Sequence, residues 1–288
     1  MNYKKYMEIG LEEAKTSLKE GNKGFGAVIV KDDKILARSH DTEVTDNDPT
    51  SHAEMNCIKK VIKCGKELEN TILISTHEPC PMCMTAIILS KIYELIYSVS
   101  IEDSLKQGRN RINISSEEIK NRSNSTIIIK KGILKEKCMV LYDSKVREYV
   151  KQFRNSRLEE WKLYGKELLE RRKKWFHDNQ ILIDKLTGSD IEIAYKLLSM
   201  KFKVKEEEIP IIEKTNKKLV FHSRNFCPSL EACKILGLDT RMICKAIFEE
   251  STDGFIKLIN PELKFTRNYE KIRPYKDYCE EIIYRKRT

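Results

Sequence analysis

The chain has 288 residues, 40% hydrophobic and 34% charged, a composition that excludes disordered and fibrous classes and a length that exceeds one ordinary domain. The first fifteen residues interleave charge with apolar side chains, so neither a signal peptide nor a membrane span is expected, and a cytoplasmic protein is. Nine cysteines, an odd number without a secretory signal, read as reduced thiols or metal ligands; the net charge of +10 is concentrated in residues 101–178, which hold 20 Lys/Arg against 12 Asp/Glu.

In chain order, residues 3–19 set Tyr6, Ile9, Leu11, Ala14 and Leu18 at helical spacing before Gly21. Residues 26–38 read as a hairpin turning at Asp32-Asp33, and 41–49 as a polar loop. A helix over 51–63, a strand over 71–75, a helix over 81–89 and a strand over 94–99 follow. That order describes a sheet with helices packed on it. Residues 101–125 read as polar and irregular, 125–129 and 137–142 as strands, and 143–175 as a charged helix or helix pair. The pattern breaks across 176–190, which predicts a first domain over 1–178 and a smaller α+β domain over 190–288. The second begins with a helix near 191–203, then a hairpin around Asn216, then short helices split by Gly237. Its cysteines, Cys227, Cys233, Cys244 and Cys279, lack the two-residue spacing of a metal knuckle and read first as small apolar residues.

Two segments carry chemistry: Ser51-His52-Ala53-Glu54 and Glu78-Pro79-Cys80-Pro81-Met82-Cys83. Pro81 suits the first position of a helix, so Cys80 is expected at its cap and Cys83 a turn later on the same face. Two thiolates and the neutral imidazole of His52 make three ligands for Zn2+, leaving the fourth tetrahedral position for water, as in a catalytic site. Glu54 stands next to the metal as a proton carrier. The bland readings are that Ser51-x-x-Glu54 is only a capping box and that the two cysteines are redox thiols. The conjunction of His, Glu, Pro, Cys and Cys in this order, each at a helix start, favours the catalytic reading.

Asp48-Pro49-Thr50-Ser51-His52-Ala53-Glu54-Met55, Glu78-Pro79-Cys80-Pro81-Met82-Cys83-Met84 and Phe25-Gly26-Ala27-Val28 together resemble the cytidine deaminase-like superfamily, in its branch of guanine and tRNA adenosine deaminases. The resemblance covers residues 1 to about 150. It implies a three-layer α-β-α domain with a mixed five-stranded sheet, a homodimer or larger assembly, and hydrolytic deamination with Zn2+ on His52, Cys80 and Cys83. It implies Phe25, Asp41, Ala53 and Pro79 at the substrate. Asp41 departs from the pattern, since relatives usually carry a base-binding Asn there; a carboxylate accepts hydrogen bonds and does not donate. The plain alternative for Asp41 is a turn residue.

The expected substrate is a small amino-heterocycle, a nucleobase, nucleoside or nucleotide with a guanine-type or cytosine-type base, with tRNA as the alternative partner and a non-catalytic zinc protein as a third reading that Glu54 argues against. For tRNA, the supporting feature is the basic run from Lys145 to Lys174; against it stand the interleaved Glu159, Glu160, Glu167 and Glu170, which pair along a solvated helix.

Overall fold

The fold is that of a computed structural model, which describes residues 2–285 and divides into two compact units, Met1–Arg154 and Asn155–Thr288. The first unit starts with α1 (Tyr3–Glu20), ended by Gly21 in the left-handed conformation, followed by β1 (Gly26–Lys31) and β2 (Lys34–His40). It continues with α2 (Ala53–Lys63), β3 (Ile72–His77), α3 (Pro81–Leu89) and β4 (Glu94–Val99). Then come α4 (Ile101–Lys106), α5 (Ser116–Arg122), β5 (Ile128–Lys131), α6 (Lys135–Met139) and α7 (Ser144–Arg154).

The five strands order β2-β1-β3-β4-β5, antiparallel across β2, β1 and β3 and parallel from β3 to β5. This is the mixed five-stranded sheet that was expected. β4 is buried along its whole length, and β1 and β3 along all but one end residue each, which is why these strands read as continuous apolar runs rather than alternating ones. Ala27 and Ile29 of β1 join Ala53, Cys57 and Val61 of α2 and Met84 and Ile87 of α3 in one core cluster. On the other face, the Cβ position of Gly10 in α1 lies 3.8 Å from Val28 and 3.5 Å from Thr76, so α1 covers the alternate residues of the same strands.

Two expectations are corrected. Residues 137–142 form α6 and a 3-10 turn, not a strand; Cys138, Leu141 and Tyr142 are buried, at the three-to-four spacing of a helix. Residues 101–125 are polar but not irregular, because Ser100 with Asp103 forms a capping box for α4 and Ser115 caps α5.

The second unit contains α8 (Leu158–Asp178), α9 (Gln180–Ile183), α10 (Asp190–Phe202), β6 (Ile211–Lys214), β7 (Lys218–Ser223), α11 (Pro228–Leu236) and α12 (Thr240–Ile243). A π-helical turn, α13 (Glu250–Ile256), β8 (Leu263–Arg267) and β9 (Cys279–Arg285) complete it. Its sheet is wholly antiparallel, in the order β6-β7-β9-β8. The expected boundary lay after residue 178, whereas the division falls before α8. The reason is packing: Phe176, with Leu169 and Trp175, belongs to the core of Ile191, Leu197, Phe221, Phe255 and Phe265. Arg172 is buried and donates to Ser251 and Thr252 of α13.

Gly26 fixes how closely α1 approaches the sheet. A Cβ there would stand 2.0 Å from the Gly10 carbonyl oxygen and 2.7 Å from the Ala14 amide nitrogen, both backbone atoms. Gly26→Ala is expected to destabilise the protein by about 3 kcal/mol. Gly10→Ala, which meets only ordinary contacts, is expected to be neutral or to stabilise by up to about 1 kcal/mol. Urea unfolding of the two variants checks the contrast, and similar stabilities would refute it.

Candidate metal centre and active site

His52 and Cys80 are the N-cap residues of α2 and α3, and neither spends its side chain on a capping bond. Because the two helices start side by side, their caps meet: the Nδ1 of His52 lies 3.5 Å from the Sγ of Cys80 and 3.4 Å from that of Cys83. A tetrahedral zinc with ordinary Zn–S and Zn–N lengths sets its nitrogen and sulfur ligands about 3.6 Å apart. The three groups therefore fit the ion. Among the described residues they are the group of His, Cys, Asp or Glu side chains whose ligand atoms converge within 4.8 Å. Cys227, Cys233, Cys244 and Cys279 do not form such a group, and all nine cysteines are free thiols.

Behind the imidazole, Nε2 faces the Glu43 carboxylate at 3.5 Å, the arrangement that orients a ligating histidine. The hydrogen bond between the two sulfurs lowers the Cys80 pKa and, with burial, raises that of Cys83. Glu54 is buried, and the Ser75 hydroxyl donates to its Oε1 at 3.1 Å. Burial, then the nearby Cys80 charge, raises its pKa above the carboxylate range. Its carboxylate does not serve as a capping-box partner of Ser51, whose hydroxyl goes to Asp48.

A family profile described as the cytidine and deoxycytidylate deaminase zinc-binding region matches residues 1–99. Guanine deaminase of Bacillus subtilis (strain 168) is 36% identical over 111 residues, covering 38% of this chain and 71% of that protein. The chain belongs to this zinc-dependent deaminase family. The tRNA-specific adenosine deaminase of the same strain is 31% identical over 154 residues, 53% of this chain and 93% of its own. An X-ray structure of guanine deaminase from Bacillus subtilis, 35% identical, covers 38% of this chain and 73% of that one with a TM-score of 0.36. The deaminase is accordingly a zinc hydrolase acting on C–N bonds.

The four residues expected at the substrate fall in different settings. Ala53 is buried with its methyl in the core cluster, and Pro79 is buried just before Cys80. Phe25 stacks on Tyr142 at 5.5 Å and meets His77 edge-on at 5.3 Å, forming an aromatic wall. Asp41 is spent on the backbone: Oδ1 accepts from Ser17 and from the Phe25 amide at 2.9 Å, and Oδ2 from the Lys23 amide at 2.9 Å. It anchors the loop that carries Phe25.

Sequence reasoning missed Glu43, His77, Tyr142 and three arginines, Arg109, Arg111 and Arg147, that gather on the aromatic wall and its loop. The only signal was Arg109-x-Arg111 in a stretch without periodicity. A polar cavity of about 830 Å³ opens between β4, β5 and α4, lined by Glu78, Tyr97, Ser100, Asp103 and Lys135 among others, and does not include the metal-facing groups.

His77 is held neutral. The Glu78 carbonyl only accepts, so Nδ1, at 2.7 Å, carries the proton and Nε2 accepts from the Ser104 hydroxyl at 2.6 Å. Burial, followed by the Arg111 charge, presses its pKa down to about 3. An unfolded histidine titrates near 6.5, so between those values the unfolded chain binds a proton that the folded one does not. Stability from this group is fully present above the unfolded value and falls with pH, by up to about 1.4 kcal/mol per pH unit. The expected result is a flatter stability curve for His77→Gln than for the native chain between about pH 6 and 4, measured by urea unfolding in chelator so that metal loss does not contribute. Coincident slopes would show that His77 is charged in the fold.

Asp41→Asn sets an amide N–H2 or an oxygen against donors that now meet a carboxylate. A loss of about 1–3 kcal/mol is expected from one unsatisfied buried amide. An unchanged melting temperature in the zinc-loaded variant would sink the anchoring role.

Proposed function

We propose that the chain hydrolyses the exocyclic amine of a small amino-heterocycle, guanine-type or cytosine-type, with His52, Cys80 and Cys83 as the zinc ligands and Glu54 as the proton carrier. The observation that carries this is the meeting of two helix N-caps, which sets the imidazole nitrogen 3.4–3.5 Å from both sulfurs with the buried Glu54 two residues from His52. When bound, zinc supplies the Lewis-acid chemistry that makes water a nucleophile at neutral pH. Glu54 takes a proton from the attacking water and delivers it to the ring nitrogen beside the amino-bearing carbon. It then passes a second proton to the departing amine, so that ammonia leaves and a carbonyl remains. Burial raises the Glu54 pKa, which suits a group that must both take and give protons near neutral pH. Ser75 holds one of its oxygens in place.

The relative named as a guanine deaminase supports the small-molecule reading, and the relative named as a tRNA-specific adenosine deaminase supports the second one. Against an RNA-binding basic helix, Arg172 of α8 is buried on Ser251 and Thr252, while Lys162, Arg171 and Lys173 pair with Glu159, Glu167 and Glu170. Such paired surface charge binds phosphates poorly. Nine free cysteines fit a reducing cytoplasm, and among the described residues no helix is long and apolar enough to cross a membrane. Exposed Ile62, Leu89 and Tyr93 at and just beyond the ends of α2 and α3 support a homodimer or higher oligomer.

Glu54→Gln is expected to keep about one zinc per chain and to lose activity by roughly 10²–10⁴-fold or more, as removal of a positioned acid–base group does. His52→Ala and Cys83→Ala are expected to lose the metal. Metal analysis with ammonia release from bases and nucleosides separates the roles; a metal-free Glu54→Gln protein whose activity returns on adding zinc would contradict the assignment.

A further inference from the structure

Three guanidinium groups stand beside this site without an anion. Arg109 and Arg111 lie in the segment between α4 and α5, and Arg147 lies on α7. The guanidinium carbon of Arg111 is 4.6 Å from the Phe25 ring centre, and that of Arg109 is 5.1 Å from Phe25 and 5.0 Å from Tyr142. Both planes are thus laid on the aromatic wall already described. Arg147 Nη1 donates to the Lys23 carbonyl at 2.7 Å, two residues before Phe25.

Nη1 of Arg109 and Nε and Nη2 of Arg111 are buried and have no hydrogen-bond partner. Asp41, whose charge reaches all three arginines, has both oxygens engaged by Ser17, Lys23 and Phe25. Burial lowers the pKa of each guanidinium, and for Arg109 the charges of Arg147 and Arg111 add to it, pressing it down to about 9. Arg111 also feels Cys80 and Glu54, which puts the cluster on the metal's side of the domain. Buried, charged, unpaired donors destabilise a fold. Gathering three like charges adds to that penalty, and an anion at this place would relieve both.

We propose that Arg109, Arg111 and Arg147 bind the phosphate monoester of the substrate, so that the deaminase acts on a nucleoside monophosphate rather than on a free base or nucleoside. This rests on the deaminase reading above and names its substrate class. A phosphate monoester carries about −1.5 to −2 charge at neutral pH and three acceptor oxygens, a match for several guanidinium forks. A phosphodiester carries a single charge and must continue at both ends, which suits an open groove better than donors stacked against Phe25 and Tyr142.

The test uses the full, zinc-loaded chain with matched base, nucleoside and nucleoside 5′-monophosphate for guanine, cytosine and adenine, at one ionic strength. Ammonia release gives kcat/KM, and calorimetry on Glu54→Gln gives binding without turnover. The monophosphate is expected to exceed its nucleoside by on the order of 10²-fold, and Arg109→Gln or Arg111→Gln to cut that ratio at least about tenfold. Arg111→Lys, which keeps charge but not the fork, is expected to fall between. The ligand-free melting temperature of the Gln variants is expected to hold or rise, since relief of the crowded, unpaired charges offsets the lost contacts with Phe25 and Tyr142; a clear fall would assign the arginines a structural role and overturn the proposal. Equal turnover of nucleoside and monophosphate, with the ratio unmoved by the arginine variants, would overturn it while leaving the deaminase reading intact. Arginine-dependent binding of monophosphates with no ammonia from any compound would keep the phosphate site and remove the deaminase reading. Preferential turnover of a tRNA anticodon stem-loop over every mononucleotide would overturn it in favour of a nucleic-acid backbone.

Discussion

Everything in the catalytic unit depends on α2 and α3 beginning at the same place on one face of the sheet. Met84 and Ile87 of α3 and Cys57 and Val61 of α2 share a core cluster with β1, so the helix starts are fixed by apolar packing before any metal is considered. Each start then offers a cap position whose side chain is free of helical duty, and those positions hold His52 and Cys80. Cys83 follows one turn on. A metal site built this way is positioned by rigid elements rather than by the loops around it, which is what keeps ligand distances narrow.

The loops are held by buried acids that accept backbone amides. Asp41 ties Lys23 and Phe25 to the end of β2, and Glu78 accepts from Ile101 and Ser116, joining the α4 and α5 starts to the Cys80 loop. Thr76 adds a neutral link, taking the Gly26 amide at 3.0 Å and the Tyr142 hydroxyl at 3.1 Å. Each of these contacts spans a large sequence separation. Together they place Phe25, His77 and Tyr142 in one wall, and that wall is where the arginines rest.

The convergence of His52, Cys80 and Cys83 was legible because its pattern is local: three groups within two short stretches, at positions that Pro81 or a capping pattern marks. The sheet was legible up to β4 because strands covered on both faces read as apolar runs. Where local pattern and tertiary packing diverge, reading failed. Cys138, Val140 and Tyr142 alternate with polar or longer residues as a strand would, yet the residues buried are Cys138, Leu141 and Tyr142, a helical set that only the neighbouring elements select. The α8 helix reads as an appendage of the first domain by charge and continuity, whereas Phe176, with Leu169 and Trp175, packs into the core of the second. Asp41 could be aligned with a base-binding position, but its hydrogen bonds to residues 17–25 have no trace in local sequence.

The basic excess of residues 101–178 likewise changes meaning once placed. As a sum it suggests a surface for polyanions, but its members do different work: surface lysines and arginines of α8 pair with glutamates a turn away, and Arg172 is interior. Arg109 and Arg111 lie on the aromatic wall, and Arg147 holds the Lys23 carbonyl in the loop that carries Phe25. Charge that is paired along a helix is screened and exchanges easily with salt, whereas charge stacked on aromatic rings out of water interacts strongly with the first anion that fits. The electrostatic character of this protein therefore lies less in its net charge than in two side chains, Arg109 and Arg111, whose buried donors the fold leaves open.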